Sequence, residues 1–298
     1  MAEPPRLSGW PGRPYRVPLA ADAQPEAVIA GLAPADHPGA LWGDWFGGGV
    51  LLFRAPLRRH EPERATEGFA ELVDQPALAG ADADLVGGGW LVALGYASGA
   101  TTTAFYDSLL RWRPAEGWSF ESLGLRGREA ADAAALADWR RALAAASKPA
   151  ESGLVTTAFS TATDVASTRA GYLATIEEVI GRINRGDFYQ MNLCVRLHAR
   201  LGRPPPVVFA QVAARLRPAY AGLVSGPAVG PPRMVMSFSP ELFLRVRGNR
   251  VTTAPIKGTA PRTAGGEAAL RSSAKDAAEN VMIVDLMRND LSLSLIHI

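Results

Sequence analysis

Cysteine is almost missing from this chain: Cys194 is the only one in 298 residues. No internal disulfide can form, which fits a reducing, cytoplasmic compartment. Runs of like charge are missing too. Thirty-one Lys and Arg against 29 Asp and Glu leave a formal net charge of +2, without the clustered basic surface that nucleic acid requires. No apolar stretch reaches the length of a membrane span, and residues 1–18 carry Glu3 and several prolines where a signal peptide would be apolar. Neither common glycine-rich phosphate loop occurs, so nucleotide binding has no support. What is present is 48% apolar and 20% charged, a globular composition able to bury a large core. The expected partner is a small molecule or another protein, with no role for nucleic acid or membrane.

The first half is rich in Gly, Ala and Pro. Short apolar runs bounded by glycine, at 49–53 and 90–96, predict buried strands. The Ala-rich stretch 129–146 predicts a helix, and Ser147, Lys148, Pro149 and Ser152-Gly153 a linker. Two regions are expected on either side of it, 1–150 and 151–291.

The second half is more legible. After Thr168, a candidate N-cap, the apolar residues Tyr172, Ile176, Val179, Ile180 and Ile183 recur at helical spacing and stop at Gly186. From Tyr189 to Leu197 apolar and polar residues alternate, which predicts a long strand with one polar face, on which His198 has an ordinary surface role. Cys194 reads as a small packing residue. A helix is predicted at 206–216, a strand at 234–238, a hairpin turning at Gly248-Asn249, and one helix over 267–288 closed by an Asp285–Arg288 ion pair. Helices alternating with antiparallel hairpins make this an α+β chain.

Counting outward from the Gly248-Asn249 turn places Glu241 opposite Ile256, one residue from Lys257. For the acid and the amine to share a face, the hairpin needs a bulge or an exit from the sheet at Pro255. Lys257 lies between Pro255-Ile256 and Gly258-Thr259, where proline and glycine impose an irregular backbone and leave room for a ligand. A lysine attacks only as the neutral amine, a state that desolvation favours. From spacing alone, an exposed turn lysine with Glu241 as its surface partner is the commoner arrangement. Asp276 and Glu279 share one helix face and can together hold a hard divalent cation, although a solvated acidic face beside Lys275 is again more common.

Together these residues resemble one family, the chorismate-utilising enzymes, which include anthranilate, aminodeoxychorismate, isochorismate and salicylate synthases. Four blocks carry the resemblance: 186–193 (GDFYQMNL), 239–241 (SPE), 255–259 (PIKGT), and 275–280 (KDAAEN) running on through 285–291 (DLMRNDL). They stand in family order and span roughly 159–291. The resemblance implies an anthranilate synthase component I-like fold of two packed, largely antiparallel β-sheets flanked by helices. It implies Lys257 as nucleophile, Glu241 as acid, Gly258 and Thr259 as substrate contacts, and Mg²⁺ held by Glu279 with Asp276 acting through water. Two positions sort the members. Gln190 stands where water-adding relatives carry a lysine base and cannot itself take a proton from water; Lys257 stands where anthranilate synthases usually have alanine. Both imply the aminodeoxychorismate branch, with chorismate as substrate and a glutamine amidotransferase subunit as the source of ammonia. The alternatives are anthranilate synthase chemistry and a non-catalytic fragment that only docks the amidotransferase.

Two departures from the family pattern stand out. Beyond Leu291 relatives continue with Gly-Arg and a long segment holding a second metal-binding glutamate, whereas residues 292–298 read as foreign, so the fold is expected to be incomplete at its C-terminus and the chain inactive as it stands. At 217–218 the chain has Arg-Pro where relatives often carry an Asn-Pro pair belonging to a tryptophan feedback site. The chain is therefore expected not to bind tryptophan tightly; calorimetric titration checks this, and a tight complex would overturn it.

Overall fold

The computed structural model describes residues 6–60, 72–80, 82, 84–94, 102–146, 159–161, 168–195, 197–226, 234–263 and 265–295. The linker expected at 147–153 lies outside them. In chain order the strands are β1 (Tyr15–Leu19), β2 (Gly39–Gly43), β3 (Gly49–Phe53), β4 (Arg58–His60), β5 (Gly89–Ala93), β6 (Thr102–Tyr106), β7 (Ser108–Arg113) and β8 (Gly117–Ser122). They continue with β9 (Phe159–Thr161), β10 (Leu197–Ala199), β11 (Tyr220–Ser225), β12 (Met234–Ser239), β13 (Leu242–Arg247) and β14 (Arg250–Ala254). The α-helices are α1 (Pro25–Ala30), α2 (Glu129–Ala146), α3 (Arg169–Asn184), α4 (Pro205–Leu216), α5 (Gly266–Ser272) and α6 (Ala274–Leu295).

A seven-stranded antiparallel sheet in the order β1-β8-β7-β3-β2-β11-β12 organises the fold. Alternation along its strands sends side chains to two cores. Val50, Leu52, Leu110, Phe120 and Leu223 pack with Val28 and Ile29 of α1, Trp139 and Leu143 of α2, and Phe209 and Ala213 of α4. Leu41, Leu51, Phe53, Leu109 and Val224 face the other way, against Leu91, Ala104 and Tyr106 of the three-stranded sheet β4-β6-β5. These are the two packed, largely antiparallel sheets flanked by helices that were expected.

A charged cluster is buried at the β7–β8 pair. Glu121 and Arg111 have side-chain exposures of 0% and 1% and meet at 3.4 Å. Glu121 also accepts from Arg16 Nε at 3.0 Å and from the N–H groups of Val86 and Gly87 at 2.8 and 3.1 Å. Arg111 donates to the carbonyls of Asp84, at 2.9 Å, and Phe46. The 84–87 loop and the β2–β3 turn are thereby tied to one buried ion pair, an arrangement in which losing either partner strands the other's charge.

Several predicted elements form within a residue of expectation. The helix over 129–146 has those bounds, and Thr168 caps α3 by accepting from Gly171 N–H at 3.1 Å. Three expectations are corrected. The alternating stretch from Tyr189 is not a long strand: only Leu197–Ala199 pairs, with β9. A strand requires a hydrogen-bonded neighbour, none lies beside 188–195 among the described residues, and Tyr189, Met191 and Val195 stay exposed. Cys194 is exposed rather than packed. The predicted helix over 267–288 is broken at Ser273, whose backbone is extended. Its hydroxyl accepts from Asp276 N–H at 3.2 Å and so starts α6, which runs on to Leu295; the Asp285–Arg288 pair, at 3.7 Å, lies within that helix and is exposed. No helix among the described residues is long and apolar enough to cross a membrane.

Asp132 at the start of α2 accepts from Tyr15 Oη at 3.0 Å and Ser122 Oγ at 2.7 Å, both through Oδ2. Burial raises its pKa, aided by the charge of Asp107, and the two hydrogen bonds only partly offset this. The folded value thus exceeds the unfolded one, so Asp132 favours folding below the ordinary aspartate range and loses that contribution as pH rises through its folded value. Because one oxygen takes both hydrogen bonds, asparagine can keep them without the buried charge. Asp132→Asn should therefore gain stability relative to the parent as pH rises from about 4 to 7. Urea denaturation across that range checks it, and parallel stability curves would refute it.

Candidate active site

β12 is the last strand in the order of the central sheet, and the chain leaves it through Ser239-Pro240-Glu241. The Ser239 hydroxyl accepts from Glu241 N–H and donates to Glu241 C=O, each at 3.1 Å, closing a tight turn. Leu242, 9% exposed, then anchors β13. Arg245 holds the hairpin to the sheet by donating to Tyr220 Oη at 3.1 Å, and Tyr220 stands edge-on to Trp45.

The hairpin turns at Gly248-Asn249 with Arg247 opposite Arg250, as the sequence predicts. The bulge raised by counting is present: register slips between Leu242 and Arg245, so that Leu242 faces Ala254. Pro255, which has no N–H, ends the ladder. The next N–H, that of Ile256, donates to Glu241 Oε1 at 2.8 Å. Glu241 is thereby fixed beside the segment that carries Lys257, with its other oxygen outside that bond. Lys257 and Gly258 are half-buried and Thr259 is exposed.

Gly258 has φ +84°, a left-handed conformation that side chains rarely adopt. A Cβ there would lie 3.0 Å from Leu270 Cδ2 and 3.1 Å from Asp276 Cγ. The backbone beside Lys257 therefore packs directly on the first turn of α6. One turn further on, Glu279 accepts from Gln190 Nε2 at 3.4 Å. Three contacts, Glu241 to Ile256, Gly258 to Asp276 and Gln190 to Glu279, thus draw the four sequence blocks into one place.

Asp276 and Glu279 are both half-buried. Two carboxylates a helical turn apart suit a hard divalent ion that keeps most of its water. No group of three or more His, Cys, Asp or Glu able to hold a metal occurs among the described residues, so these two carboxylates do not by themselves make a closed metal cage. A cleft of about 550 Å³ opens elsewhere, beside α1, α2 and α4, lined by Val28, Leu32, Asp36, Arg54, Ala146 and Val207; no residue singled out in the sequence lines it. Two structural roles went unread in the sequence, those of Ser273 and Gln190. The first had a local signal, a serine three residues before an acid at a helix start. The second had none, because its partner is 89 residues away.

A family profile described as chorismate binding enzyme matches residues 94–295. Aminodeoxychorismate synthase component 1 of Escherichia coli is 37% identical over 133 residues, 42% of this chain and 28% of that protein. An anthranilate synthase component 1 of Haloarcula marismortui is also 37% identical, over 129 residues, 41% of this chain and 25% of that protein. These matches span under a third of the relatives' own length. Among solved structures, the menaquinone-specific isochorismate synthase of Escherichia coli superposes with TM-score 0.61 at 15% identity, covering 95% of this chain and 64% of that one, a likeness of fold.

Replacing Gly258 by alanine forces a side chain into a left-handed position against Asp276. The Gly258→Ala variant should lose about 1–2 kcal/mol of stability, read from urea denaturation. An unchanged midpoint would mean that the close approach to α6 is not a constraint.

Proposed function

The chain belongs to the chorismate binding enzyme family, and from that premise we propose that it carries the nucleophile and acid of an aminodeoxychorismate synthase component I. The observation that carries this reading is Glu241 fixed on Ile256 N–H immediately beside Lys257. One Glu241 oxygen accepts that N–H, leaving the other to bear the proton an acid catalyst must give. The Lys257 amine, in its neutral form, attacks C2 of the chorismate ring as the two conjugated ring double bonds shift away from C2 and the C4 hydroxyl departs. Glu241 protonates the leaving oxygen, so that water is released, and the Lys257 nitrogen, on giving a proton back to the Glu241 carboxylate, is joined to the ring as a secondary amine. Ammonia then adds at C4 and gives up a proton, the two double bonds shift back, and the bond to Lys257 breaks as its nitrogen takes up a proton, returning the lysine and giving 4-amino-4-deoxychorismate.

Gly258 and Thr259 line the substrate's approach, the glycine because only a bare backbone leaves room beside Asp276. Glu279, and Asp276 through water, would hold magnesium, which when bound supplies charge neutralisation for the ring carboxylate. Ammonia comes from a glutamine amidotransferase partner. Gln190 lacks the basicity to activate water, which weighs against isochorismate or salicylate as product.

A second reading, that this chain is an incomplete form of the site, is favoured by one observation. Around it Tyr189, Met191, Phe243, Val246, Ile256 and Val281 are all exposed, an apolar surface of the kind other protein normally covers. Incubation with chorismate, magnesium and ammonium, followed by product identification and intact-mass analysis, separates the readings. A dehydrated chorismate adduct lost in Lys257→Met is the expected result, and released aminodeoxychorismate would support the same branch while overturning the expectation that the chain is inactive as it stands. Anthranilate would remove the branch assignment. Neither product nor adduct would leave the incomplete-site reading.

A further inference from the structure

We propose that Gln190 is a positioning residue: its side-chain amide holds the Glu279 carboxylate in the orientation that receives a divalent cation. This rests on the reading of Asp276 and Glu279 as the residues that hold magnesium. Gln190 Nε2 donates to Glu279 Oε1 at 3.4 Å. Both side chains are half-buried, while Tyr189 and Met191 on either side of Gln190 are exposed. The stretch 188–195 has no helix or strand of its own to set its side chains, so this inward bond defines where Gln190 points.

A glutamate on a helix surface samples several rotamers, and ordering it costs side-chain entropy each time a cation binds. A hydrogen bond to one carboxylate oxygen restricts those rotamers beforehand and leaves the second oxygen, with the remaining lone pair of the first, for the ion. The donor is a neutral amide, so it orients the carboxylate without neutralising the charge that attracts the cation. Asp276 is held independently, by the N-terminal turn that Ser273 caps and by Gly258 packed against it. The two carboxylates would thus be set from two sides, Asp276 by its own helix and Glu279 by a residue far off in sequence.

The test is divalent-ion affinity of the full chain, with Mn²⁺ water-proton relaxation as the direct probe and Mg²⁺ measured by competition. Gln190→Met should weaken Mg²⁺ binding about 10- to 100-fold, the usual cost of losing a residue that orients a ligand. Its thermal unfolding should match the parent's. In a Glu279→Gln background the same change should cost nothing more. If Gln190→Met leaves affinity within twofold while Glu279→Gln lowers it, the positioning role is wrong and the magnesium reading stands. An equal loss in both backgrounds would make the effect a general structural one and overturn the proposal. If Glu279→Gln binds as well as the parent, the magnesium reading itself fails and the proposal with it. Should Gln190→Met not fold, Gln190→Asn, which keeps the amide but shortens its reach, is expected to show the same loss.

Discussion

Burial of both faces of the central sheet is the constraint on which the rest of the molecule depends. In β3, Val50 and Leu52 enter the helical core while Leu51 and Phe53 enter the core against the smaller sheet. A strand covered on both sides cannot slip by one residue without exchanging its two sets of side chains. The register of β2 and β11 beside it follows, and with it the position of β12, where the chain turns toward the candidate site. The buried Glu121–Arg111 pair reinforces that frame by binding loops, through their backbone N–H and C=O groups, to the middle of the β7–β8 pair.

The site is built differently. Its parts are held by single polar contacts and one close backbone approach rather than by a continuous apolar core. The Ser239 turn, the bulge after Leu242 and the missing N–H of Pro255 together deliver the Ile256 amide to Glu241. Each of these is a local departure from regular strand geometry, and each lies where a side chain must be aimed rather than packed. Much of the surface nearby is apolar and exposed, so the frame and the site differ sharply in how completely each is covered.

A likeness of fold to an isochorismate synthase and sequence likeness to both an aminodeoxychorismate and an anthranilate synthase put differently named enzymes on one scaffold. Fold does not separate these chemistries. The proposed branch assignment rests on two side chains, an amine at 257 and an amide at 190, and both lie in the region where the four sequence blocks meet.

Sequence alone determined the features that depend on near neighbours. The helix over 129–146, the Thr168 cap and the turn at Gly248-Asn249 follow from propensity, capping and turn chemistry, all of which act over a few residues. The four blocks that mark the family were equally plain. Tertiary structure decided whatever needed a distant partner. Alternation from Tyr189 onward showed an amphipathic segment but could not say whether a strand lay beside it, since hydrogen-bond partners in a sheet come from elsewhere in the chain. The bulge was left open by counting because it is set by how Leu242 and Arg245 seat against the sheet. The pairing of Gln190 with Glu279 left no trace in the sequence, because a contact across 89 residues is fixed by packing and not by spacing.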